Sequence, residues 1–156
     1  MHRPRHSTLA REDGLTLTEI MIAVVMVTIL VGTTGPRIAP VLTRTAAGQA
    51  ASLVAVDLEQ AVSLASRQRR PVRIACDCAN GRYTFTDRAN GTLLFTRAVT
   101  GTAGGFGLTG LAFTNNPVDV FPSGQTSAPL TVSLTANNVT RQVAMSTGGF
   151  VRVITP

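Results

Sequence analysis

Glu19 stands at the head of an apolar run, and Cys76 and Cys78 lie one residue apart in a stretch where polar and apolar side chains alternate. These three side chains are the ones whose type and spacing promise chemistry. A carboxylate inside a membrane-sized apolar segment costs about 2.5 to 3.5 kcal/mol on insertion scales, so it persists where it has a partner and a task. Two thiols at positions i and i+2 of a regular strand point the same way, with Cα atoms about 6.5 to 7 Å apart, at or beyond the limit for an unstrained bridge. In an oxidising compartment three readings of the pair stay open. They are two buried thiols serving as core, a local disulfide permitted by a bulge, and redox or intermolecular chemistry.

The glutamate's setting narrows its task. Gly14 to Val31 reads GLTLTEIMIAVVMVTILV, and the 17 residues from Leu15 to Val31 are apolar apart from Glu19 and three threonine-sized interruptions. As a helix they rise about 26 Å, nearly matching a hydrocarbon core of about 30 Å. Upstream, Met1 to Asp13 is short and polar, with Arg3, Arg5 and Arg11 against Glu12 and Asp13, a net +1. The positive-inside tendency keeps that stretch cytoplasmic and turns the remainder outward, into the periplasm of a Gram-negative cell. A secretory signal has no use for the glutamate and carries its small residue after the apolar run, whereas Gly14 comes before it. An unprocessed single-span anchor is the other plain alternative.

This arrangement resembles the class III signal of type IV pilins and type II secretion pseudopilins. The resemblance implies that a prepilin peptidase cuts after Gly14, that Leu15 becomes the N-methylated new terminus, and that Glu19 is the fifth-position glutamate used in assembly. One departure is that the family usually has phenylalanine where this chain has Leu15. A leader of residues 1–14 and a transmembrane and assembly helix over 15–35 follow from it, with the inner membrane and other filament subunits as partners.

Beyond the span, Gly32, Gly35, Pro36 and Pro40 interrupt the helical pattern. Proline removes a backbone donor and clashes one turn back, so the helix is expected to kink, loosen or break at Pro36 and Pro40. Residues 36–70 then form the kink and an amphipathic helix. Ala47, Ala50, Val54, Leu58, Ala61 and Ala65 recur at three- and four-residue steps as one apolar stripe, with Asp57, Glu59, Gln60, Ser63 and Arg67 mostly elsewhere. Small residues dominate the stripe, which lets a sheet approach closely. Arg67, Arg69 and Arg70 suit a helix C-terminus, and Pro71 stops the helix.

From Pro71 to the end, residues 71–156, the period changes to two. Val72, Ile74, Cys76 and Cys78 alternate with Arg73, Ala75 and Asp77, and Asn80-Gly81 predicts a tight hairpin placing Cys78 opposite Tyr83 and Cys76 opposite Phe85. A second turn at Asn90-Gly91 leads into Thr92 to Val99, and Thr100 to Gly110 reads as a glycine-rich loop. Short strands follow near Val118 to Phe121, Leu130 to Thr135, Thr140 to Ser146 and Phe150 to Ile154. Periodicity alone therefore predicts an α+β chain, helix followed by antiparallel sheet, with one domain of roughly 100 to 120 residues beyond the span.

Three features of this half are similar to the GspH/FimT branch of the pilin superfamily. They are the arginine-rich helix end running into Pro71-Val72, the Phe121-Pro122-Ser123-Gly124 turn, and a closing strand introduced by Gly148-Gly149. The resemblance implies a pilin-like fold, with the long helix packed on antiparallel sheets. It also implies one of two roles, a type II secretion minor pseudopilin or a FimT-like minor pilin of a type IV pilus. DNA-binding members carry a Gly-Arg-x-Arg pair near the C-terminus. Here Gly149-Phe150-Val151-Arg152 retains only Arg152, with Arg141 on a neighbouring strand as a second contact, so nucleic acid is expected as a weak, salt-sensitive ligand at most.

Composition excludes much else. All 14 basic residues are arginine against 8 acidic ones, and removing the leader's +1 from the total of +6 leaves +5, a balance that suits nucleic acid or anionic lipid but more commonly means scattered surface arginines. The only histidines, His2 and His6, fall in the leader, so the mature chain has no imidazole for a Ser-His or Cys-His pair. Cys76 and Cys78 supply two thiolates where a zinc site needs four ligands, so neither an enzyme, a metal nor a cofactor is expected. Cells with a functional prepilin peptidase should yield a chain beginning at Leu15, and Gly14→Val should block the cut because its branched side chain hinders the scissile bond. Mass spectrometry of membrane-extracted protein reads this directly; an intact Met1 terminus in the wild type rejects the leader assignment.

Overall fold

The computed structural model describes residues 16–154, with backbone only at 33–40 and 102. The chain divides into two compact units, Met1–Ile38 and Ala39–Pro156. The element order is helix α1 (Leu17–Gln68), β1 (Val72–Asp77), β2 (Arg82–Asp87), β3 (Leu93–Ala98), a short α2 (Gly101–Gly104), β4 (Gly110–Phe113), β5 (Val118–Val120), β6 (Leu130–Ala136), β7 (Val139–Met145) and β8 (Val151–Ile154). This is the expected α+β arrangement. Two four-stranded antiparallel sheets form, ordered β3-β2-β1-β5 and β4-β6-β7-β8.

α1 begins where the Thr16 hydroxyl accepts the Glu19 N–H at 3.3 Å, half of a Thr-x-x-Glu capping box, with Glu19 in the first turn where the helix dipole favours an acid. The helix is continuous through Pro36 and Pro40 to Gln68, so of the expected kink, loosening or break the chain does not show a break. Each proline removes one i to i−4 hydrogen bond, a defect that a helix with an intact ladder on both sides can absorb. Among the described residues no helix is long and apolar enough to cross a membrane. Leu17 to Gly32, the described part of the apolar run, rises about 24 Å, short of a core of about 30 Å. The predicted membrane helix 15–35 extends at both ends past the residues whose side chains are described. The helix stops with Arg69 in the left-handed region (φ 53°) ahead of Pro71.

In the unit Ala39–Pro156 the predicted stripe is the core face. Ala47, Ala50, Val54, Leu58, Ala61 and Ala65 are all fully buried, in one cluster with Ile74 and Phe85 of the first sheet and Leu130, Val132, Leu134, Val143 and Met145 of the second. Alanine at four of these six positions keeps the helix surface low, so strand side chains reach the helix itself.

Asp57 departs from its expected place off this stripe. It is 2% exposed and accepts a 2.5 Å hydrogen bond from the Tyr83 hydroxyl. Arg97 donates to the same carboxylate through Nε and, at 3.0 Å, through Nη2. Tyr83 and Arg97 are cross-strand neighbours on β2 and β3, so one carboxylate on α1 grips two strands of the first sheet. The Arg97 guanidinium also lies 5.0 Å over the Phe95 ring, which stacks on Phe85 at 5.0 Å. Removing a single member of such a buried pair costs about 3 to 5 kcal/mol, because the partner charge is left uncompensated.

The first hairpin differs in register from expectation. Cys76 lies opposite Tyr83, and Ile74 opposite Phe85. Asp77 and Arg82 close the ladder, and a 3₁₀ turn over Cys78–Asn80, ended by Gly81 at φ 60°, makes the connection. Four residues turn the chain rather than two, which moves each pairing by two positions. Gly81 is confined because a Cβ there would run into the Thr100 side chain. The glycine-rich stretch 100–110 is also more ordered than expected, containing α2, the buried Leu108 and the start of β4.

Burial, then the hydrogen bond and negative charge of Asp57, push the Tyr83 hydroxyl far above its ordinary value of 10.0. The folded state therefore holds a proton that the unfolded chain releases above pH 10, so this contribution to stability is full below pH 10 and declines as pH rises beyond it. The chain has one tyrosine and no tryptophan. A spectrophotometric titration should show that tyrosine ionising only together with unfolding, and a non-cooperative step near pH 10 in the folded protein contradicts the network.

Candidate functional site

The residues singled out in the sequence fall in separate places. Gly14 and Leu15 lie outside the described residues. Glu19 is exposed in the unit Met1–Ile38, on a face of α1 with Ile20, Ala23, Val24, Val27 and Thr28. Leu17, Met21, Ile22, Val25, Met26, Ile29 and Leu30, spread around the rest of the helix, are each at least half exposed. A helix apolar on every side, with one carboxylate near its start, presents a contiguous apolar surface that water disfavours. Pro36 and Pro40 lie within α1 with only their backbone described.

Cys76 and Cys78 form a disulfide with Cα atoms 5.1 Å apart. Of the three open readings, this is the local bridge. The relief comes from strand termination rather than from a bulge. β1 ends at Asp77, and Cys78 opens the 3₁₀ turn, drawing its Cα closer than a regular strand allows. The Asn116 side chain holds Cys76 from the other side, accepting from its N–H at 2.9 Å and donating to its carbonyl at 2.8 Å. Among the described residues no group of three or more potential metal ligands occurs.

Arg141 and Arg152 do not form one surface. On β7, Arg141 lies on the same face as the buried Val143 and Met145, two and four residues on, and opposite the buried Leu134, so it belongs to the inner face of the second sheet. Arg152 lies opposite Ala144, on the outer face. It shares a shallow groove there with Pro129, Thr131, Ala144 and the strongly exposed Phe150. The Gly148-Gly149 turn holds Phe150 and Arg152 out. Gly149 has φ 79°, and its Cα faces the Gly124 carbonyl so closely that a Cβ would clash with it. The two predicted glycine turns, 121–124 and 148–149, thus brace each other.

Solved structures of minor pilins and pseudopilins match this architecture. The type IV minor pilin FimU of Pseudomonas aeruginosa aligns with a TM-score of 0.58 at 18% identity, over 71% of this chain and 90% of that one. The minor pseudopilin EpsH of the type II secretion system of Vibrio cholerae aligns with a TM-score of 0.57 at 18% identity, over 70% and 97% of the two chains. A second EpsH structure aligns with a TM-score of 0.55 at 17% identity, over 72% and 96%. The chain has the minor pilin and pseudopilin fold. No protein-family model and no curated protein sequence matches it significantly. The likeness, below one residue in five identical, is one of fold.

On this minor pilin fold, Asp57 and Arg97 are the residues that sequence reasoning missed. One signal was available. Asp57 lies three residues after Val54 and four before Ala61, within the stripe's own arc, and a carboxylate there demands a cation from elsewhere in the chain. Which arginine answers was not legible. Gly149→Ala should destabilise the fold by roughly 1 to 3 kcal/mol through its left-handed backbone and the Gly124 contact. Urea denaturation checks this, and Gly91→Ala is the comparison, because it has positive φ but nothing within 4 Å of its Cβ. Equal losses in the two variants would reject the bracing.

Proposed function

We propose that this chain is a minor pseudopilin of a type II secretion system, a non-enzymatic subunit of a periplasmic filament that helps export folded proteins. In this reading a prepilin peptidase removes residues 1–14. The apolar helix then holds the subunit in the inner membrane until assembly, and the unit Ala39–Pro156 lies in the periplasm. The observation that carries the proposal is the pairing of a minor pilin fold with an exposed helix that is apolar on every side except at Glu19. Such a helix is stable when covered, first by lipid and then by the helices of neighbouring subunits. There Glu19 would pair with the cationic terminus of an adjacent Leu15, offsetting two charges that are each costly alone in hydrocarbon and setting the axial register.

The alternative is a FimT-like minor pilin of a type IV pilus, with a role in pilus biogenesis or DNA uptake. FimU and EpsH match the fold about equally, so the preference rests on the arginines. Phe150 occupies the place of the first arginine of the DNA-binding pair, and Arg141 and Arg152 lie on opposite faces of their sheet. One phosphate contact per face supports little affinity for a duplex.

The test is a strain in which this chain is replaced by the Glu19→Ala variant. Membrane insertion should persist, since removing a charge favours partitioning, while crosslinking to neighbouring subunits should fall by about tenfold or more and export of folded proteins should drop with it. Crosslinking at the wild-type yield would reject the register-setting role. A strain that exports normally but loses pili or DNA uptake would transfer the chain to the alternative.

A further inference from the structure

The inner face of the second sheet is incompletely covered. Between α1 and the end of that sheet lies an open groove of about 760 Å³, with Gly48, Ser52 and Val56 on the helix side and Phe106, Arg141 and Val153 opposite. Val153 pairs with the fully buried Val143, so it points to the core side of the sheet, yet it is 44% exposed. A valine on a core face remains that exposed only where the layer above it is missing. Val56 on the facing helix is likewise 58% exposed.

Arg141 makes the vacancy specific. It also lies on the core side, opposite Leu134, and its Nε is buried without a hydrogen-bond partner. No Asp or Glu lines the groove, and among the described residues no ion pair to Arg141 forms, whereas Arg97, set against the same core from the other sheet, has Asp57. Leaving a buried N–H of a charged group unpaired costs more than a neutral donor would, and a carboxylate brought in from outside recovers that loss.

The groove's shape selects an extended segment. Its helix wall runs from Thr45 to Val56, about 16 Å, the length of roughly five residues of strand. β8 ends its sheet, and beyond β7 its backbone has no partner among the described residues. An edge strand beside an apolar trough is the arrangement into which an extended peptide adds by backbone pairing.

We propose that the groove between α1 and β8 is a docking site for an extended segment of a partner protein, one carboxylate flanked by apolar side chains. The segment pairs with the free edge of β8, lays its apolar side chains over Val153 and Val56, and places its carboxylate on Arg141. The site uses only residues of the unit Ala39–Pro156 and does not depend on the filament reading, Glu19 or membrane insertion.

The test uses the full chain in lipid nanodiscs and a fluorescently labelled, end-blocked peptide, Val-Thr-Val-Glu-Val-Thr-Val, beside versions with Gln or Arg at its centre. Anisotropy titrations should show the Glu peptide binding about tenfold to a hundredfold tighter than the Gln peptide, and the Arg peptide weakest. Arg141→Gln should erase the difference between Glu and Gln without lowering the thermal midpoint, since among the described residues no ion pair is lost. Gly48→Leu, at a helical position with nothing within 4 Å of its Cβ, should fold normally and block all three peptides by filling the trough. Equal binding of the Glu and Gln peptides, a Glu preference that survives Arg141→Gln, or no binding of any peptide would overturn the proposal. So would binding of dodecanoate in an Arg141-dependent manner with no peptide bound, which would make the site one for a lipid-like carboxylate.

Discussion

Both sheets rest on one face of one helix, and the height of that face is the constraint on which the remaining structure depends. Ala47, Ala50, Ala61 and Ala65 leave the helix surface nearly smooth, with Val54 and Leu58 at its centre. Larger residues would hold the strands off and open voids that the short strands have no side chains to fill. The closeness has an electrostatic consequence. At Asp57 a carboxylate is carried into the core with the helix, and it is tolerable there because β2 and β3 bring Tyr83 and Arg97 to it from opposite positions of one cross-strand pair. The helix and the first sheet are therefore locked in register by a contact that neither element satisfies alone.

The second sheet has no equivalent lock. Among the described residues its arginine on the core face, Arg141, meets no acid, and its last strand is partly uncovered. The asymmetry divides the labour of the fold. The first sheet is completed internally by a buried ion pair, a disulfide at the end of β1 and the Asn116 clamp on Cys76. The second presents unfinished surfaces on both faces, Arg141 and Val153 within and Phe150 and Arg152 without. Polar groups left without partners in otherwise satisfied interiors are where a partner's contribution is strongest, because the cost of burying them has already been incurred.

Glu19 poses the same physical problem in a different medium. Inside the unit Ala39–Pro156 a buried acid is answered by residues of its own chain. On the apolar helix Glu19 is exposed among apolar side chains, and its backbone N–H bonds to Thr16 of its own N-terminal turn. An apolar surface of that kind is stabilised by being covered, and the proposed filament role gives that requirement a setting.

Local pattern determined a great deal of this protein. The alanine stripe, the helix stop at Pro71, the glycine turns and the alternation of β1, β6 and β7 each depend on residues within a few positions of one another, so their periods and backbone preferences are legible in one dimension. The charged head of the apolar run is legible for the same reason. What tertiary structure alone decided involves partners distant in sequence, or a turn whose length is set by packing. Asp57 found Arg97 across 40 residues. The first hairpin took a four-residue turn, with Gly81 close beneath Thr100, which moved Cys76 opposite Tyr83 and let Cys78 come close enough to bridge it. Arg141 and Arg152, adjacent candidates in the sequence reading, were sent to opposite faces by the pairing of β7 with β8. A strand's two-residue period states which residues share a face within one strand. Which face of its neighbour they join is decided by register, and register is a property of the assembled sheet.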